Sequence, residues 1–456
     1  MKKRFALGAA LTLLAYAARA RAQAAPPAPE TLAVGDWQLA PVLEVRARGE
    51  YRHDLDTGER GLLVERARLG VDALRGAVEA RVVLQDARAV DLGAGNELVG
   101  GPMPTAFTGA YEAWGEAHTA SVRPSFVRAG RQRVAWGEGR LLGTADWSAA
   151  ARSLDAVRGR LVVGDGSFEL LAAVLVDPAS GASLQPYGEL FGARAEWAFD
   201  PALAFEAYGL ARLAQAEPAA NLEGTVEGQT YTAAARLHGD ARAWTWGAEG
   251  SFQFGHVDAA PAASPPMLVA AKARGAWAAA GHVGYAFERV LLRPAARVGV
   301  AYASGDDGGS TYRTFDPLLP DVHTWHGAMD LFAWSNEEEA SARVSAVPWT
   351  DAIATLEYRY VRLAQPGAAW LTGNLTTIRR ALGNTQAELG HEIDAALAWS
   401  PWAPVEFSAG YSVLILGDGA RAILAANGFG AMKDSGGVSP AAVSHLAYAQ
   451  VLVAIP

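Results

Sequence analysis

Residues able to do chemistry concentrate in two stretches of this chain. The first, GRQRVAWGEGRLLGTADW over 130–147, packs arginine, glycine and tryptophan around a G-x-G. A nucleotide fingerprint needs a third glycine, a βαβ setting and a helix directly after it, and this stretch has none of them. The second, SGDDGGSTYRTFDPLLPDVHTWHGAMDLF over 304–332, offers Asp306 and Asp307, hard oxygen donors of the kind calcium takes. It also offers His323 and His326 with Asp321, a nitrogen and oxygen set that suits a transition metal. The aspartates read better as a Gly-rich hairpin tip. The histidines read better as polar loop residues, because no second ligand cluster accompanies them in the sequence. Neither G-x-S-x-G nor H-E-x-x-H occurs, so we expect no enzyme, no metal and no cofactor.

Arginine is the remaining candidate. Beyond the first residues only Lys272 and Lys433 are lysines, so nearly all positive charge is guanidinium. A GC-rich coding bias produces the same excess, and weight therefore falls on where each arginine stands. Arg46, Arg48, Arg66, Arg68, Arg131, Arg140, Arg152, Arg158, Arg236 and Arg359 fall on polar strand faces or in the conspicuous motifs, together with Asp155, Glu392 and Asp394.

The elements that would position them follow from the pattern. The chain opens with MKKR, an apolar run and Ala20-Arg21-Ala22, which predicts a secretory signal peptide over 1–22. Its loss removes five basic residues (Lys2, Lys3, Arg4, Arg19, Arg21) from a formal charge of −9, leaving −14. An acidic chain of this kind is not expected to bind nucleic acid. There are no cysteines, so burial and backbone pairing must hold the fold. No later run is long and apolar enough for a membrane helix. Alternation with period two recurs throughout instead. In LEVRARGEYR, Glu44, Arg46, Arg48, Glu50 and Arg52 oppose Leu43, Val45, Ala47, Gly49 and Tyr51. In AWTWGAEGSFQFG, Trp244, Trp246, Ala248, Gly250, Phe252 and Phe254 oppose Thr245, Gly247, Glu249, Ser251 and Gln253. VEFSAGYSV alternates likewise.

Short proline-marked turns (TASVRPSFV, WAFDPALAF, AVPWTDAIA, AWSPWAPVEF) alternate with long polar or Gly/Pro-rich loops, the asymmetry of outer-membrane barrels. A closed sheet pairs every backbone group without a free edge, and it turns apolar residues outward and polar ones toward a wet lumen. A 51% hydrophobic content without any apolar block fits that arrangement. At about 24 residues per arm, the chain accommodates ~18 strands, with sixteen or twenty also compatible. The fold class is thus all-β, a transmembrane antiparallel up-and-down barrel. The expected divisions are a signal peptide over 1–22, a short periplasmic segment over 23–40 and the barrel over 41–456. Trp114, Trp136, Trp197, Trp399 and Trp402 are expected to form interfacial girdles.

GRQRVAWGEGRLLGTADW followed by SAAARSLDAVR resembles the outer-membrane alginate export family, which carries GRQ, a Gly-acid-x-Arg-Leu turn, D-W and R-S-F-D. The matching positions are Gly130, Arg131, Gln132, Gly137, Glu138, Arg140, Leu141, Gly143, Asp146, Trp147, Arg152, Ser153, Asp155 and Arg158, with Leu154 in place of the usual phenylalanine. The 304–332 loop, LGHEIDAALAWSP with AGYSVLILG, and VERARLG with VVLQDAR resemble further family elements in the same order. The resemblance implies a barrel of 18 strands whose arginine-lined lumen passes an anionic uronic-acid polymer outward. Planar guanidinium forks suit carboxylates, and many weak sites in series let a polyanion slide.

The expected function is therefore passive translocation of an alginate-like polysaccharide across the outer membrane of a Gram-negative cell. The alternative is a general or sugar- and anion-selective porin on the same scaffold. Expected partners are outer-membrane lipid, an anionic polysaccharide or small solute, and periplasmic polymer-export components around a monomeric barrel. A barrel hydrolase and a soluble carbohydrate-binding β protein have thinner support.

Overall fold

Alternating apolar and polar side chains can be satisfied together only if the sheet has two unlike sides, and the sheet here closes to provide them. The computed structural model describes residues 31–455 apart from 54, 56–58, 93–105, 177–185, 215–227, 258–270, 374–376, 379–380, 382, 429–430, 433–437 and 440. The expected signal peptide and most of the expected loops after positions 91, 214 and 257 lie outside the described residues.

Eighteen strands form one closed antiparallel barrel. They are β1 (Trp37–His53), β2 (Glu59–Arg75), β3 (Val78–Asp91), β4 (Ala106–His118), β5 (Phe126–Gln132), β6 (Leu154–Val163), β7 (Gly166–Val176), β8 (Pro186–Asp200) and β9 (Leu203–Ala214). The second half comprises β10 (Gly228–Ala241), β11 (Trp244–Val257), β12 (Lys272–Ala286), β13 (Ala295–Ala303), β14 (Glu337–Ala346), β15 (Ala352–Leu363), β16 (Glu388–Trp402), β17 (Val405–Leu416) and β18 (Val443–Ile455). Each strand pairs with its chain neighbour, and β18 closes on β1 from Leu43↔Ile455 to His53↔His445. The first strand begins before position 41, because Gln38, Leu39 and Ala40 already pair with β2.

The two faces separate as the alternation requires. Arg46, Arg48 and Glu50 are buried inside, while Val45 and Tyr51 are exposed outside. Trp244, Phe252 and Phe254 are exposed outside, while Glu249, Ser251 and Gln253 are buried inside. Tight turns join strands at one end and long connections at the other. Two connections, 133–153 and 304–336, do not stay at the rim. They fold into the barrel, the second through the short helix α1 (Val322–Trp325). A second helix, α2 (Asp418–Ala426), buries Ile423 and Leu424 against Leu414, Leu416 and Leu446.

The lumen is therefore not uniformly wet. Trp136, Leu141 and Leu142 of the first inward loop meet Phe315, Leu319 and Trp334 of the second in one apolar cluster, against inward-facing Leu154, Leu171, Leu190 and Leu210. Loop side chains replace water there, so the strands beneath carry apolar residues on both faces. The same packing corrects the girdle assignment. Trp114 and Trp136 are buried inside the barrel, at 7% and 1% exposure, whereas Trp399 and Trp402 are exposed beside the tight-turn end.

Candidate channel constriction

The loop 133–153 turns back on itself through Gly139, whose φ of +77° suits glycine. The Gly139 N–H donates to Trp136 O at 3.0 Å, and Trp136 N–H donates to Leu142 O at 3.0 Å. The loop then zips to the second inward segment. Gly143 N–H donates to Leu319 O (2.8 Å), Leu319 N–H to Leu141 O (3.0 Å) and Asp321 N–H to Gly139 O (2.8 Å). A Cβ on Gly143 would lie 2.8 Å from both Asp321 Cβ and Gly139 O, so the zipper requires glycine at that position. The Trp325 indole adds a bond to Glu138 O at 2.7 Å.

Arginines on the wall hold this paired plug. Arg46 donates to Asp146 O (2.8 Å) and Ser148 O (2.7 Å), Arg66 to Asp146 O (2.9 Å) and Arg48 to Trp147 O (2.9 Å). The Arg48 guanidinium lies 3.7 Å over the Trp147 ring, and His323 stacks on that ring at 3.9 Å. Arg66 and Arg68 share Glu44 at 2.6 and 2.9 Å and each approach the Asp146 carboxylate to 3.4 Å. Arg152 donates to the carbonyls of Gly143, Leu319 and Pro320. Arg359 donates to Trp325 O at 2.7 Å while pairing with Glu339 and Glu357. Glu392 accepts the Met329 N–H at 3.1 Å, and Asp394 lies two positions further along the same inward face.

Burial alone would raise the carboxyl pKa of Asp146, but the guanidiniums of Arg66, Arg68, Arg133 and Arg46 hold it well below the usual range. Glu138, also opposed by burial, is lowered to about 2 by Arg140, Arg236 and His282. Both loop carboxylates therefore stay ionised across the neutral range. Arg140 pairs with Glu138 at 3.3 Å and lies 4.1 Å over the Trp325 ring.

Of the sequence candidates, Arg46, Arg48, Arg66, Arg68, Arg140, Arg152 and Arg359 gather around the plug and fasten it. The four on β1 and β2 are at most 4% exposed, so they lie under the loop and not along an open path. Arg236 also fastens the plug, through Glu138 at 2.9 Å, whereas Arg158 lies on the inward face clear of this cluster, paired with Glu169 at 2.7 Å. Arg131 and Asp155 are a correction. They pair at 2.7 Å, but they share their strand face with Val127 and Val157, which are exposed outside. Leu154 and Ala156, on either side of Asp155, are the inward residues, so alternation turns Arg131 and Asp155 outward.

Sequence reasoning passed over Arg128, Arg194, Arg297 and Arg343. Register sets Arg128 opposite Arg158, Arg194 opposite Glu169, Arg236 opposite Glu206 and Glu249, and Arg297 opposite Arg343. Together these residues make a belt of arginines interspersed with carboxylates along the inner wall. Its arginines keep partial access to the lumen, 22% for Arg128 and 19% for Arg297. The signal for Arg194 and Arg343 is present in the polar faces of FGARAEWAF and EEEASARVSA. Asp307 pairs with Arg313 at 2.9 Å and the Asp306 carboxylate accepts the Arg313 N–H, which makes that stretch a closed hairpin tip.

Comparison with known proteins agrees with this architecture. Three crystal structures share the fold. The outer membrane protein opdK from Pseudomonas aeruginosa aligns with a TM-score of 0.58 at 11% identity, covering 91% of this chain and 98% of its own. OccAB1 of Acinetobacter baumannii aligns with 0.57 at 11% identity, covering 92% and 97%. OccK2 (OpdF) of P. aeruginosa in complex with glucuronate aligns with 0.56 at 10% identity, covering 91% and 96%. No curated protein matches the sequence. The sequence profile described as alginate export matches residues 38–427. With that match over most of its length, on a barrel of the outer-membrane porin type, the chain belongs to the alginate export family.

Proposed function

We propose that this barrel is a passive outer-membrane channel of the alginate-export type, through which a polymer of uronic acids moves outward. The observation that carries the reading is the belt of partly accessible arginines on the inner wall. Each already has an acidic neighbour: Arg194, for example, pairs with Glu206 at 2.6 Å and Glu196 at 3.3 Å. A passing carboxylate therefore exchanges one acid for another on a guanidinium fork and gains little net energy at any position. Weak, repeated exchange favours sliding over capture. The family match supports the polymer as cargo, and polymer-export components on the periplasmic side would supply it.

One observation favours a second reading, a channel for single sugar acids. The two inward loops are zipped to each other and fastened at many points, and their apolar cluster fills part of the lumen cross-section. One fold neighbour, OccK2, was solved with glucuronate.

Planar-bilayer conductance with uronate oligomers of increasing length separates the two. Block that deepens with chain length supports the polymer. Saturable block by the monomer that fades for longer chains supports the single-sugar channel. Cation preference without block by any length would sink both.

A further inference from the structure

The inward loop meets the wall at a second kind of site, formed by His326, Glu337 and Glu339. His326 caps α1 through its N–H to Val322 O. Glu337 and Glu339 stand two apart on β14 and so share its inward face. The His326 Nδ1 lies 3.2 Å from a carboxylate oxygen of Glu337 and 3.2 Å from one of Glu339, and the three ligand atoms all fall within 4.8 Å of one another. All three side chains are at most 4% exposed.

Charge is unevenly satisfied within this cluster. Glu339 holds Arg359, and Glu357 nearby holds Arg343 and Arg359. Glu337 has no arginine among the described residues. Its second oxygen, Oε2, is fully buried without a hydrogen-bond partner, and its ladder neighbours are Leu363 and Ala303. A buried carboxylate oxygen left in this condition is costly, and a cation seated between His326 and the two glutamates would satisfy it.

The distances say which kind. Two ligand atoms bound about 2.1 Å from one ion at angles of roughly 90–109° stand about 3.0–3.4 Å apart. Both nitrogen–oxygen separations at His326 fall in that interval, and they are equal. A ring N–H can donate a good hydrogen bond to only one of two such oxygens, usually closer than these. An imidazole with two carboxylates suits a first-row divalent ion better than calcium or magnesium, which prefer all-oxygen shells.

We propose that His326, Glu337 and Glu339 form a binding site for a divalent transition-metal ion of the zinc type, which clamps the 304–336 loop to the barrel wall. Metal on Nδ1 places the ring proton on Nε2, which is buried without a partner. Outer-shell partners are commonly worth 10–100-fold in affinity, so this site is weaker than a structural zinc centre and exchanges with chelators.

The test is calorimetric titration of the chelator-stripped full-length barrel with Zn2+ alone, folding being checked by heat-modifiable migration. The expected result is one Zn2+ per chain, with loss of about 100-fold or more in affinity in both His326→Ala and Glu337→Gln, and no competing uptake of Ca2+. A wild-type Co2+ complex with ligand-field bands of a nitrogen- and oxygen-bound ion provides a readout independent of the variants. Absence of Zn2+ binding by the wild type, binding unchanged in both variants, or preference for Ca2+ would each overturn the proposal. None of these measurements depends on what the channel transports.

Discussion

Arg152 donates its Nη1 hydrogens to the carbonyl of Leu319 at 2.6 Å, joining two loops that stand 167 residues apart in the chain. The same group reaches Gly143 O and Pro320 O. One guanidinium thus gives the Gly143 and Pro320 carbonyls a donor and adds a second one to the Leu319 carbonyl already used in the zipper, in a place where water has been displaced by apolar side chains.

Arg152→Leu should release that junction. Charged hydrogen bonds of this kind contribute about 1.5–3 kcal/mol each to the acceptors they satisfy. The expected outcome is larger and noisier single-channel conductance, with new protease cleavage inside 133–153. A variant with wild-type conductance and protection would show that the zipper alone holds the plug.

Asp146 is a carboxylate among Arg46, Arg66, Arg68 and Arg133. Asp146→Asn removes the negative charge and leaves the guanidiniums in place. Reversal potentials in a salt gradient should move toward anion preference, by about twofold or more in permeability ratio. A shift toward cations would contradict this arrangement of charge.

Arg194→Glu and Arg131→Glu make opposite predictions from the same chemical change. Arg194 lies on the inward belt, so its reversal should favour cations and weaken uronate block. Arg131 points outward beside Asp155, so its reversal should leave selectivity untouched while lowering barrel stability through repulsion between like charges. Equal effects on selectivity would refute the outward placement of Arg131.

Acid should loosen the plug in a definite window. The folded pKa of Glu138 is lowered from 4.5 to about 2, so its stabilisation is complete above about pH 4.5 and disappears as pH falls through 2. The linkage is on the order of 3 kcal/mol. Conductance noise should therefore be flat from pH 7 to about pH 5 and rise below it. In Glu138→Gln the loop should already be loose at neutral pH, and an acid step unchanged from wild type would show that another group governs it.

Much of the barrel was legible because alternation is a local property. Each strand declares its two faces within ten residues, so Arg46, Arg48 and Glu50 inside and Tyr51 outside could be read from LEVRARGEYR alone. The run GRQRVAWGEGRLLGTADW divides, in the same way, into the end of β5 and the loop that leads to β6. Errors came where a local rule met a distant partner. Trp136 has the sequence surroundings of a girdle residue, but the 304–336 loop covers it inside the barrel. Arg131 looked like a lumen group because its motif was conspicuous, although the parity of β5 and β6 turns it outward. His326 has no second ligand set in its own loop, and only the fold sets Glu337 and Glu339 of the next strand beside its ring, where the metal site is proposed.

By itself the sequence determined a cysteine-free, period-two chain with arginine on one face of its strands. That points to a closed sheet, because closure pairs every edge and a barrel gives alternating residues two separate environments. What the tertiary structure decided was the use of the charges. Loops folded into the lumen remove water from one set of arginines and turn them into fasteners. The belt on β5 to β14 remains within reach of the lumen. Which arginine does which depends on contacts between segments more than a hundred residues apart, and no local spacing encodes those.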